Sequence, residues 1–159
     1  MKKNLLSVKQ KLKEFKVKVQ NLKLIAKTDE DLRVISAHLQ DSIVKTSDIA
    51  NLKKNKIFLM QLNRFMWEDI EKGVFRKNKR IRTVLKFENV LKVTSKNVNQ
   101  KKNDRFLDFL AIETFKMPDK NYEMNLIFSG DVVIKLVTEA IEVTLDDHCL
   151  LYTSDAADE

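Results

Sequence analysis

The residues best suited to nucleophilic chemistry lie together in the segment "ISAHLQDS", residues 35–42. In a helix, His38 would share a face with Asp41, three positions on, and with Ser42, four positions on. A hydrolase needs a serine poised on a base that a carboxylate orients. Three groups on one helical turn are poorly placed to converge on a single substrate atom. Packing and helix hydrogen bonds therefore explain the trio better than catalysis, and we predict no catalytic residue.

The sequence offers little to hold a metal or a cofactor. It contains one cysteine, Cys149, and two histidines, His38 and His148, whereas a zinc site gathers about four ligands, mostly of these types. Its two glycines, Gly73 and Gly130, cannot build the glycine-rich loops that bind phosphates. We predict no metal site and no cofactor.

The basic run "FRKNKRIR", residues 75–82, is the best candidate for a binding site, because phosphate contacts need such a cluster. Proteins that bind single strands of nucleic acid add exposed aromatic side chains on a sheet face. The aromatic neighbours here are Phe75 and Phe87, and Phe87 falls on the apolar side of the predicted strand. Acids in the preceding "EDIEK" can instead pair with the run, which favours a solvated charged strand. The candidate polyanion-binding residues are Arg76, Lys77, Lys79, Arg80 and Arg82.

The net charge of +7 is unevenly distributed along the chain. Residues 1–21 carry seven lysines and one glutamate, and the last eleven residues carry three acids and no base. Lysines outnumber arginines by 24 to 6, which the codon bias of a genome rich in A and T explains without any acidic partner. The charge therefore does not by itself indicate nucleic-acid binding.

The composition is that of a globular domain, with 43% hydrophobic and 33% charged residues. No apolar run approaches the roughly 18 residues of a membrane span. The apolar part of the start, "LLSV", is shorter than the roughly 7–15 residues of a signal peptide's core. We predict a cytoplasmic protein without a membrane span.

The elements that must position these residues begin with a short strand, "LKLIA", and a helix over about residues 29–42. Thr28 is the predicted N-cap, and Asp31 stands where a capping box has its acid. The apolar stripe of this helix is Leu32, Ile35, Leu39 and Ile43.

After the helix the apolar period changes to two, which indicates strands. The segment "NLKKNK" at 51–56 and "SGD" at 129–131 are predicted hairpin turns. The run 80–97 exceeds the usual strand length of about 3–10 residues, so we expect a break near Glu88–Asn89. The segment "IFLMQLNRFMW" is apolar on both faces until Arg64, which indicates an interior strand. The predicted strands are 43–50, 56–66, 80–97, 106–116, 121–128 and 132–145.

Together these elements predict an α+β fold. One N-terminal amphipathic helix packs on a twisted antiparallel sheet of about six or seven strands. Strong curvature would bend this sheet into a half-barrel. The sheet residues expected to face the helix are Ile81, Leu85, Phe87, Leu91, Val93, Leu126 and Phe128.

The predicted helix "ISAHLQD" and the strand end "LNRF-W-E" are the most specific pieces of a resemblance that covers residues 22–147. On these pieces the chain resembles the bacterial domain-of-unknown-function family 2948. The resemblance implies a single compact domain from a bacterium, an alphaproteobacterium. It implies no activity and no catalytic residues to transfer, since none is assigned to the family.

The two ends depart from this resemblance. Residues 1–21 form a basic extension that has both helical and strand-like periodicity. The ending "CLLYTSDAADE", residues 149–159, reads as the translation of a transposase-based sequencing adapter, as expected of a metagenomic sequence. We therefore predict a domain at 22–148 followed by a non-native tail. This tail should leave the domain after about Asp147, and its removal should cost less than about 0.5 kcal/mol.

The residues favour a non-catalytic binding or assembly module, with a protein partner or a second copy of the chain. The alternative is a nucleic-acid-associated protein that uses residues 75–82, and an enzyme of unknown reaction comes third. An enzyme predicts a pocket with converging polar groups, and a nucleic-acid binder predicts a positive face with exposed aromatics. A binding or assembly protein predicts an exposed apolar patch or strand edge.

Overall fold

The computed structural model of the protein describes residues 22–65, 79–98 and 105–152, without the side chains of residues 79 and 149–152. This part of the chain forms one α-helix, one short 3₁₀ turn at Lys53–Asn55, and nine strands in an antiparallel sheet. The elements are β1 (Lys23–Ala26), α1 (Asp29–Leu39), β2 (Ile43–Leu52), β3 (Ile57–Phe65), β4 (Lys79–Phe87), β5 (Val90–Lys96), β6 (Phe106–Lys116), β7 (Tyr122–Phe128), β8 (Val132–Thr138) and β9 (Val143–Tyr152).

The α+β class with an antiparallel sheet is confirmed. The predicted number of strands, six or seven, is wrong, because two long predicted strands each divide into two and the sheet has nine. The run 80–97 divides into β4 and β5 at Glu88–Asn89, as expected, where Asn89 adopts a left-handed φ of 58°. The run 132–145 divides into β8 and β9 at residues 139–142, a break that neither glycine nor proline marks.

The two breaks are joined to each other. The amide of Glu88 donates to the carbonyl of Glu142, and the amide of Glu139 donates to that of Asn89, each at 3.0 Å. The side-chain amide of Asn89 adds a bond to the Glu142 carboxylate at 2.9 Å. Each interruption thus supplies the hydrogen bonds that the other loses, which allows both strands to bend at the same place.

The helix begins as predicted and ends earlier. The Thr28 hydroxyl accepts from the Asp31 amide at 3.1 Å, and the Asp31 carboxylate accepts from the Thr28 amide, which completes the capping box. The helix follows β1 and stops at Leu39 rather than at 42, because Asp41 turns to a φ of 63°. Its stripe of Leu32, Ile35 and Leu39 is buried, whereas Ile43 lies half-buried in β2.

The strand order is β1-β9-β4-β3-β2-β6-β7-β8-β5, with β3 in the interior as predicted. The sheet divides between β2 and β6, which pair only over Ile43–Lys45. Beyond this point α1 and the segment between α1 and β2 cover the edge of β6. Ser36 Oγ accepts from the amide of Ile112 at 3.1 Å, and the carbonyl of Ser42 accepts from the amide of Phe109 at 2.8 Å.

Both halves of the sheet contribute to one core, with aromatic pairs Phe58–Phe87 and Phe109–Phe128 at ring distances of 6.1 and 5.6 Å. The predicted sheet residues are mostly buried, but the helix packs mainly on β6, β1 and β3 and not on the strands that carry them, so the expectation that they face the helix is wrong. Among them, Leu91 is 44% exposed. It is the extra residue of a bulge in β5, so the alternation shifts there. The predicted sheet residues that are buried are Ile81, Leu85, Phe87, Leu126 and Phe128, with Val93 partly buried.

The last strand runs further than the sequence indicated. β9 continues to Tyr152, and its residues from Cys149 onward pair with Lys79–Arg82 of β4. The expected departure after Asp147 is therefore wrong for these residues. Residues 1–21 and 153–159 lie outside the described part of the chain, and the predicted domain boundaries stay predictions. Among the described residues, no helix is long and apolar enough to cross a membrane.

Candidate functional site

The basic strand is only partly described. Arg76 and Lys77 lie outside the described residues, and Lys79 is described by its backbone alone. Arg80 and Arg82 lie on the outer face of β4, on either side of Ile81, which is buried. The structure therefore brings together two of the five candidate cations.

Arg80 is fixed against the sheet. Its guanidinium lies 3.8 Å from the centre of the Phe65 ring, and Nη1 donates to the carbonyls of Asn63 at 3.2 Å and Asp41 at 3.4 Å. Partial burial lowers the pKa of Arg80, while the carboxylates of Asp108 and Asp41 raise it. An arginine remains charged at physiological pH in spite of such a shift. Its charge is thus retained. Nη1 is directed at two backbone carbonyls, whereas Nε is buried without a hydrogen-bond partner among the described residues.

The neighbouring cations of β4 also have partners. Arg82 donates from Nη2 to Gln61 Oε1 at 2.9 Å and lies 3.5 Å from the Asp48 carboxylate. Lys86 lies 3.6 Å from the Glu88 carboxylate. These acids lie in β2 and directly after β4. The segment "EDIEK", in which the sequence predicts partners for the basic run, lies outside the described residues, so that prediction stays a prediction. A polyanion would have to displace these contacts to bind the strand.

The His38–Asp41–Ser42 trio does not form a nucleophilic site. His38 Nδ1 is 2.9 Å from the Val34 carbonyl, a helix hydrogen bond of the expected kind. Asp41 lies beyond the end of α1, and Ser42 is fully buried. In the described part of the chain, no three of the histidine, cysteine and acidic side chains are grouped as metal ligands.

The sequence did not predict the buried ion pair between Arg64 and Asp147. Arg64 Nε and Nη2 donate to the two oxygens of Asp147 at 3.0 and 2.6 Å, and Thr83 Oγ1 donates to the same carboxylate at 2.7 Å. The side chains of Arg64 and Asp147 are both fully buried. Arg64 continues the inward alternation of Met60 and Leu62, and that alternation was the signal that could have revealed it.

This cluster joins three strands rather than opening to a ligand. A charge removed from water is costly unless it is paired and hydrogen-bonded. Both oxygens of Asp147 accept hydrogen bonds within the cluster, and a shift of register between β4 and β9 at Thr83 accompanies it. The arrangement ties β9 to β3 and β4.

The edge of β5 that faces away from β8 is a candidate site for a partner. Among the described residues only β8 pairs with β5, which ends the strand order. The amide of Val90 donates to the carbonyl of Lys56 at 2.9 Å, so β5 starts beside the turn between β2 and β3. Beyond Val90 lies a groove of about 360 Å³. We call it the β5 groove. It is lined by Asn51, Lys53, Val90, Leu91, Lys92 and Val93.

The β5 groove can supply backbone hydrogen bonds, apolar contact and positive charge. An edge strand presents unpaired backbone donors and acceptors. Val93 is half-buried and Leu91 is 44% exposed, while Lys53 and Lys92 have no ion pair in the described part of the chain. This combination suits an extended peptide, and it contains no pairing of a nucleophile with a base.

A second depression, of about 380 Å³, lies on the outer face of β5 to β8. Glu113, Asn125, Lys135 and Thr94 stand side by side across the four strands there. Two of them contact Glu123 instead of converging, Lys135 at 3.4 Å and Asn125 at 3.3 Å. The depression is therefore a weaker candidate than the β5 groove.

No curated protein and no solved structure matches the chain. The sequence model of one protein family matches residues 22–158, which is most of the chain. The resemblance found in the sequence is confirmed, but its predicted end at residue 147 is wrong, because the match continues to residue 158. The chain belongs to the family described as protein of unknown function (DUF2948).

Proposed function

We propose that this protein is a non-catalytic binding module that holds an extended segment of a partner protein along the free edge of β5. The observation that carries the proposal is the β5 groove, which lies along the edge of β5 that pairs with no described strand. Addition of a strand to a sheet edge is a common way to bind a peptide, because backbone bonds supply affinity and side-chain contacts supply specificity.

Contacts at one end of the groove help to keep it open. At one end the Val90–Lys56 backbone bond holds β5 to the turn between β2 and β3, and the Lys56–Glu139 ion pair, at 3.3 Å, holds the residue after β8 to the same turn. Beyond this tie β5 does not pair with β2. An added strand needs a spacing of about 4.8 Å from β5, and its backbone would meet the unused donors and acceptors of that edge.

The form of β5 argues for a foreign segment over a second copy of the chain. Edge strands avoid association with one another through bulges and lysines. β5 has both, a bulge at Leu91 and exposed lysines at Lys92 and Lys96. We propose a bacterial, cytoplasmic setting for this module, as the sequence predicts.

A second candidate is a nucleic-acid-associated protein that uses the outer face of β4. One observation favours it, since Phe106 is 67% exposed and pairs across the same sheet with Lys45. The contacts of Arg80 with Phe65 and of Arg82 with Asp48 weigh against it. We rank it second for this reason.

The proposal is tested with labelled peptides of about ten residues, of acidic, neutral and basic composition, by fluorescence anisotropy. For any peptide that binds, two versions are made with N-methyl groups on alternate residues. Because one set of amides faces β5 and the other faces away, one version should lose binding and the other should retain it. Equal losses, or no binding by any peptide, would refute strand addition at β5.

A further inference from the structure

We infer that the segment bound in the β5 groove is acidic, with two carboxylates four residues apart on one face and an apolar residue between them on the other. This inference rests on the proposed function and names the chemistry of its partner. It follows from which side chains of β5 point toward the core and which point away.

The pairing with β8 fixes these directions. Val93 lies opposite Leu136, which is fully buried, so Val93 points toward the core. Lys92, Thr94 and Lys96 therefore point to the outer face, because successive side chains of a strand alternate. The outer face of β5 presents a lysine, a threonine and a second lysine in a row.

A strand added to β5 would place its own outward residues beside this row. Carboxylates beside Lys92 and Lys96 are separated by four positions whether the added strand is parallel or antiparallel. An inward residue of the added strand lies beside Val93, where an apolar side chain extends the core. The threonine position favours a β-branched neighbour.

The charges of the groove are available to a partner. Lys53 and Lys92, which line the groove, and Lys96, which lies further along β5 and lines the second depression, have no ion pair among the described residues. Lys56, beside the groove, is paired with Glu139. Opposite charges across neighbouring strands stabilise pairing, and like charges oppose it. The exposed hydrophobic residue in the groove is the aliphatic Leu91, and none of its described lining residues is an aromatic on which a base could stack.

The same row argues against a symmetric pair of β5 strands. In an antiparallel pairing centred on Thr94, Lys92 of one copy would lie opposite Lys96 of the other. Both ends of the pairing would then bring like charges together. A partner with carboxylates at these two positions removes this conflict.

The test compares two labelled peptides of about ten residues, with the cores Glu-Val-Thr-Val-Glu and Gln-Val-Thr-Val-Gln. The acidic peptide should bind the unaltered protein about tenfold more tightly at low salt, and this preference should shrink as salt is added. The variant Lys92→Glu/Lys96→Glu should reverse the preference and bind a Lys-Val-Thr-Val-Lys peptide. Such a gain of binding excludes misfolding as the cause. Lys116→Glu/Lys120→Glu is the matched control, since these lysines are also exposed and four residues apart, in the β6–β7 hairpin.

The outcomes separate the inference from the proposed function. If both peptides bind equally and alternate N-methylation still distinguishes two registers, strand addition stands and the acidic partner is wrong. If no peptide binds, both fail. If a short single-stranded oligonucleotide displaces the acidic peptide at similar concentration, the groove is a general polyanion site and the inference is overturned.

Discussion

At the scale of residues, the cost of burying an unpaired charge determines how substitutions of Arg64 and Asp147 change the stability of the protein. Replacing Arg64 with methionine would leave the Asp147 carboxylate fully buried with Thr83 as its remaining donor in the cluster. We expect a loss of roughly 3–5 kcal/mol in the free energy of unfolding, measured by urea denaturation. The triple change Arg64→Met, Asp147→Leu and Thr83→Val should recover most of this loss. If the triple variant is as unstable as the single one, the cost lies in packing and not in the unpaired charge.

The helix register makes a second prediction at this scale. Leu39 is fully buried, whereas Val34, on the opposite side of α1, is 50% exposed. Leu39→Ala should therefore cost about 2–5 kcal/mol in urea denaturation, through lost apolar burial and a residual cavity. Val34→Ala is the control and should change stability by less than about 0.5 kcal/mol. Similar costs at both positions would contradict the register.

At the scale of elements, the capping box of α1 gives a prediction in the acidic range. A backbone hydrogen bond from Lys27, together with a side-chain and a backbone hydrogen bond with Thr28, lowers the pKa of Asp31. A lowered pKa in the folded state means that Asp31 supports the fold above its unfolded pKa and that this support is lost as pH falls through the folded pKa. An NMR titration should place its midpoint below the ordinary value of about 3.9. The variant Thr28→Ala should raise the midpoint toward the ordinary value. An unchanged midpoint would contradict the contribution of the Thr28 side chain to the lowered pKa of Asp31.

The end of β9 makes a further prediction, in which the structure and the sequence disagree. The sequence interpretation treats residues 149–159 as a tail whose removal costs less than about 0.5 kcal/mol. The pairing of Cys149–Tyr152 with β4 instead predicts a loss of about 1–3 kcal/mol, because several strand hydrogen bonds disappear. Urea denaturation of a chain that ends at His148 distinguishes the two. A shorter deletion that removes only residues 153–159 is the matched control.

At the scale of the whole molecule, the contacts that Arg80 and Arg82 make with other residues of the protein limit its affinity for polyanions. We expect a short oligonucleotide to bind weakly, with a shallow dependence on salt concentration. The variant Arg80→Ala/Arg82→Ala should change this binding little. Tight binding with a steep salt slope that the double variant removes would establish the second candidate function in place of the first.

Much of the fold could be predicted, because its local signals agree with the final packing. The capping box at Thr28 and the turn that ends strand β4 at Asn89 follow from residue types that suit those conformations. The break at residues 139–142 has no such signal, since distant hydrogen bonds to Glu88 and Asn89 create it. The partner of Arg64 was equally inaccessible, because it lies 83 positions away along the chain.

The candidate site was the least predictable part of the molecule. A strand edge is defined by which strands fail to meet, and strand order is a property of the whole chain. The bulge at Leu91 also shifts the alternation that the sequence indicated for β5. The sequence therefore directed attention to the basic residues of β4, whereas the lysines available to a partner lie on the next strand.

The pairing of β1 with β9 bears on the order of events during synthesis. Lys23 lies beside Asp146, so the first described strand is held by the last one. A chain grows at about 5–20 residues per second, so β1 and the apolar stripe of α1 would wait for many seconds before their neighbours emerge from the ribosome. Such distant pairing also slows folding. Until β9 is released, the nascent protein would present an incomplete core to the chaperones that meet it.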